Sequence, residues 1–92
     1  MKEQIIENLQ TVFDKHGIYA ALILKNKLES SDLEFADMAK WCDDLNRMIG
    51  VWAAYQLNVS KDEAESALQS YSRKFDRISQ KKEDDYLISQ PV

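Results

Sequence analysis

Ile5, Ile6, Leu9, Val12 and Phe13 recur at the three- and four-residue spacing of one helical face, which predicts a first helix over 2–16. Gly17 follows where a left-handed residue would end it. His16 then meets the negative end of the helix dipole. No Ser or Cys stands near it in sequence as a nucleophile, so this structural role is preferred to a catalytic one.

The next apolar stretch, 18–28 (IYAALILKNKL), has no diagnostic period, because a short apolar run suits a buried strand as well as a helix. Ala20, Ala21 and the leucines favour helix, and no partner strand is evident elsewhere. A third helix is expected over 32–57, opened by the capping box Ser31-Asp32-Leu33-Glu34. Met38, Leu45 and Trp52 fall seven apart, as do Trp41, Met48 and Tyr55, and Cys42, Ile49 and Gln56. Three adjacent columns make a stripe wider than a two-stranded seam, so this helix needs more than one neighbour. Gly50 inside it suggests a kink or a close helix contact.

A second capping box, Ser60-Lys61-Asp62-Glu63, opens a last helix expected over 60–80. Its apolar face holds Ala64, Ala67, Leu68, Tyr71, Phe75 and Ile78. Residues 81–92 read as a flexible charged tail after a single domain over 1–80. The expected fold is therefore all-α: a small four-helix bundle or orthogonal helical domain with one long central helix.

Composition agrees with this pattern. The 92 residues suffice for one core, and only two glycines and one proline interrupt them. One cysteine, Cys42, excludes an internal disulfide, and with a single histidine leaves no tetrahedral zinc set. No metal and no cofactor are expected. The net charge of −4 weighs against a general nucleic-acid binder and against an anionic membrane surface. No secretory signal and no membrane-length apolar run appear, so the cytoplasm is the expected compartment.

Local motifs add two candidates. Ala53-Ala54-Tyr55-Gln56-Leu57-Asn58-Val59-Ser60, followed by Ala64, Ala67 and Leu68, resembles the helix-turn-helix of bacterial DNA-binding proteins. That resemblance implies Ala54 at the helix crossing, Asn58 in the turn, and residues 51–70 as the DNA reader. The outward positions oppose it: Ser60, Lys61, Asp62, Glu63, Glu65 and Ser66 carry one cation against three anions. The second candidate is a basic cluster, Arg73, Lys74, Arg77, Lys81 and Lys82, which with Lys61 could contact a phosphate backbone or an acidic partner.

Catalysis finds no constellation. Glu34, Asp37, Asp43 and Asp44 are interleaved with Lys40 and Arg47, as on a solvated helix face. No Gly-rich phosphate loop or nucleophile elbow occurs. The remaining chemistry is the aromatic and Met stripe, Trp41, Met48, Trp52 and Tyr55. Residues of these types form cores, and they also anchor protein interfaces. The expectation is a non-enzymatic protein-binding module, a regulator, inhibitor or scaffold, acting through this stripe and completing its core as a homodimer. Size and acidity resemble small helical immunity, anti-sigma and phage-encoded inhibitor proteins.

Overall fold

The computed structural model describes residues 2–31, 35–54 and 59–89, with side chains described over 2–31, 39–54 and 59–81. Four helices follow one another: α1 (Lys2–His16), α2 (Tyr19–Glu29), α3 (Phe35–Ala54) and α4 (Lys61–Ser89). No strand occurs among the described residues. The ambiguous stretch is thus a helix. It buries Ala20, Ala21, Leu24 and Leu28 and leaves Tyr19 and Ile23 exposed along its outer edge.

Cross-helix contacts give the directions. Gln10 accepts a hydrogen bond from Lys25 Nζ and Ser31 O accepts one from Lys2 Nζ, so α1 and α2 are antiparallel. Glu65 contacts the start of α2 and Asp76 its end, so α2 and α4 run parallel. Trp41 packs on Tyr71 and Phe75, while Trp52 shares a cleft with Val59 and Ala64. α3 and α4 are therefore antiparallel. The result is an up-down-up-down bundle with helices in the spatial order α1, α2, α4, α3. Its centre is filled by Ile5 and Leu9 from α1, Leu24 and Leu28 from α2, Leu45 from α3 and Leu68 from α4.

Two helix ends have local causes. Gly17 adopts φ +64° and donates its N–H to Phe13 O at 2.8 Å, the left-handed cap expected there. The Ser60 hydroxyl accepts from Glu63 N at 3.2 Å and its carbonyl accepts from Ala64 N at 3.1 Å, which opens α4. α2 begins after Ile18, a residue with no capping group of its own. The carboxylate of Glu65 on α4 substitutes for one, accepting from Tyr19 N at 2.6 Å and Ala20 N at 3.1 Å. The first capping box includes residues 32–34, which lie outside the described residues.

Two expectations need correction. α4 does not stop near residue 80 before a structureless tail; it continues to Ser89, because no glycine or proline interrupts it after Ser60. Gly50 makes no close helix contact: it is exposed, and a Cβ built there would meet nothing within 4 Å. The two glycines accordingly predict opposite effects. Gly17→Ala forces a left-handed alanine and is expected to destabilise by about 1–2 kcal/mol. Gly50→Ala is expected to stabilise by about 1 kcal/mol through helix propensity. Urea denaturation of both variants checks the signs.

Candidate protein-binding surface

The bundle closes unevenly. α1 packs closely on α2 and on α3, and α2 on α4, whereas α3 meets α4 chiefly through large aromatic side chains. Trp41 fills that junction, edge-on to Tyr71 at 5.9 Å between ring centroids and tilted against Phe75 at 5.5 Å. Only 8% of Trp41 is exposed, so the first residue of the expected binding stripe is core. Its indole Nε1–H is buried and, among the described residues, has no acceptor.

The rest of the stripe lies further out. Met48 and Trp52 are half-buried against the core, and Tyr55 lies outside the described residues. Between them on the same helix edge is Val51, which the stripe did not include and which is 51% exposed. Across the seam, α4 presents half-buried Ala67, Tyr71 and Ile78. Lys74 Nζ sits 5.0 Å from the centroid of the Tyr71 ring, a cation–π contact at the outer margin. The α3–α4 seam is thus a surface with an aromatic floor and mixed apolar shoulders. The three columns on α3 divide accordingly: Cys42 and Ile49 are buried, Leu45 points to the centre, and the Met48–Val51–Trp52 edge is left partly uncovered.

The basic residues of α4 are distributed differently from the cluster read in sequence. Arg73, Lys74, Arg77 and Lys81 are exposed, and the side chain of Lys82 lies outside the described residues. Asp76, the one acid among residues 73–81, is held by Lys27 of α2 at 2.9 Å, and Lys27 also donates to the buried Ser72 hydroxyl at 2.8 Å. Lys61 stands apart at the other end of the bundle, with Nζ beside Gly17. The cluster and Lys61 do not converge on one patch.

Asn58 and the rest of the turn in the DNA-reading arrangement, residues 55–58, lie outside the described residues. Ala54, which should pack at the helix crossing, is exposed. α3 and α4 lie alongside each other as a helical hairpin rather than crossing steeply. Glu65, counted from sequence as an outward acid, is turned onto the start of α2. Nothing local signalled that role, because the cap spans 46 residues of chain.

Candidate chemistry is equally sparse. Lys40, Asp43, Asp44 and Arg47 form an exposed charged face on α3, and no cluster among the described residues could hold a metal ion. Cys42 is buried, and its thiol pKa is raised first by that burial and then by the neighbouring Asp43 carboxylate. It is expected to resist alkylation in the folded protein at neutral pH and to react on unfolding, as mass spectrometry with iodoacetamide would show. No helix among the described residues is long and apolar enough to cross a membrane. The chain matches no known protein family, no curated protein and no solved structure.

Proposed function

We propose that this protein is a non-enzymatic protein-binding module of the cytoplasm, a regulator, inhibitor or scaffold whose binding surface is the α3–α4 seam. The observation that carries the reading is exposed Val51 between partly buried Met48 and Trp52, on the side of the bundle where the helices pack least closely. An exposed valine flanked by partly covered Met and Trp side chains contributes most when a partner removes it from water. Trp41 supports the surface from beneath, while Met48, Val51 and Trp52 make the contacts.

A photo-crosslinking residue at Val51 tests this in the native host. A discrete protein adduct at Val51, absent when the same residue is placed at exposed Asn26, is the expected result. Equal or absent labelling at the two positions overturns it.

A further inference from the structure

The outer edge of α4 that borders this seam has a charge order of its own. Glu63, Ala67, Ser70, Lys74 and Lys81 are spaced so that they line one edge of the helix. Glu63, Ser70, Lys74 and Lys81 are exposed and Ala67 is half-buried. Glu63 makes the beginning of this edge negative, with Lys61 and Asp62 exposed beside it on the same turn. Lys74, Arg77 and Lys81 make the edge positive from 74 to 81, Asp76 in that stretch being engaged by Lys27 on the opposite side, before Glu83, Asp84 and Asp85 reverse the sign in the sequence. Between the two ends, residues 66–72 carry no charge at all. The centre is small, with Ala67 and Ser70.

Over residues 63–81 the edge is negative at one end, neutral and small in the middle, and positive at the other, and such a stretch complements its own copy turned end for end. That is the requirement of a two-fold interface, in which each residue meets its counterpart's partner twice. With the axis passing between Leu68 and Gln69, Glu63 of one copy faces Lys74 of the other, and Ala67 faces Ser70. The same reversal acts on the apolar shoulders. Met48 and Val51 lie toward the acidic end, because neighbouring Trp52 shares a cleft with Lys61 and Ala64. Tyr71 and Ile78 lie toward the basic end. Along the helix axis, reversal therefore brings the Met48–Val51 edge of one copy to the level of Tyr71 in the other.

We infer that the occupant of the α3–α4 seam is a second copy of this chain, docked antiparallel with its α4 against this one and Glu63–Lys74 pairs on both sides of the axis. This rests on the reading of the seam as a protein-binding surface and names its partner. Small residues at the centre let the two helices approach, the apolar shoulders supply affinity, and the terminal charges set register and direction. A polyanion such as nucleic acid suits the basic end alone and is repelled by Asp62 and Glu63 at the other.

A charge swap is the decisive test. Sedimentation equilibrium of the full chain should show a dimer, with Glu63→Lys and Lys74→Glu each weakening it about tenfold or more, since either variant places two like-charge pairs in the interface. The double variant Glu63→Lys/Lys74→Glu restores both pairs and should return the dissociation constant to within about threefold of the original. Both positions are exposed, and circular dichroism checks that each variant stays folded. A wild type that stays monomeric at all concentrations overturns the inference, and so does a dimer that the swaps do not move or do not rescue. A monomer that still gives a foreign adduct at Val51 refutes the self-pairing and leaves the protein-binding reading standing. A monomer with no adduct removes both.

Discussion

Trp41→Ala is expected to remove about 3–5 kcal/mol of stability, whereas Trp41→Phe is expected to cost about 1 kcal/mol or less. The first figure follows from burial. Trp41 is 8% exposed and packs on Tyr71 and Phe75 across the α3–α4 junction, so truncation opens a cavity between the two helices. A domain of this size has about 5–15 kcal/mol in total, so the alanine variant sits close to unfolding. The second figure follows from the orphaned Nε1–H. Phenylalanine loses part of the ring volume but also deletes a buried donor that has no acceptor among the described residues, and the desolvation of an unmet donor costs about 1–3 kcal/mol. The two losses oppose each other. Urea unfolding of both variants measures the difference, and similar large losses in both would show that ring volume alone matters at this position.

The second large effect is expected at Glu65. Glu65→Ala leaves the first two amides of α2 without their acceptor, and is expected to destabilise by about 1–2 kcal/mol, the usual cost of losing a helix cap. Glu65→Gln keeps one oxygen and should lose less. The signature is local as well as global. Native-state hydrogen exchange of Tyr19 and Ala20 amides should accelerate in Glu65→Ala, while amides in the middle of α3 follow global stability alone. If the α2 amides exchange as in the wild type, the carboxylate is not their cap.

Burial of the Cys42 thiol adds a pH dependence of definite sign. Its pKa is raised in the folded state, so the folded form keeps a proton that the unfolded form releases. The contribution is complete below the ordinary thiol range and is lost as pH rises through it toward the raised value. Stability should therefore fall in alkaline solution, and Cys42→Ala should make that fall shallower.

Much of this structure was legible from residue order because its causes are local. The period of Ile5, Leu9 and Val12, the cap at Gly17 and the Ser60–Glu63 box each depend on neighbours within one or two turns, and each is seen. The helix at 19–29 was underdetermined, since an apolar run has no period to separate helix from strand. Overreading came where a local signal implied a distant contact. Gly50 could have marked a crossing, but its neighbours turned out to be solvent.

The long third helix and its stripe show the division most plainly. By itself the sequence determined that α3 has an apolar face too wide for one neighbour, and that Trp41, Met48 and Trp52 lie on it. Spacing along one helix settles that much. Only the tertiary structure decided that Trp41 is the floor and Val51 the exposed edge, because burial depends on which helices arrive on either side. It also decided that Asp76 is consumed by Lys27 and Glu65 by α2. Those pairings span the chain, and they leave the charge order of α4's outer edge facing solvent, where a second copy would meet it.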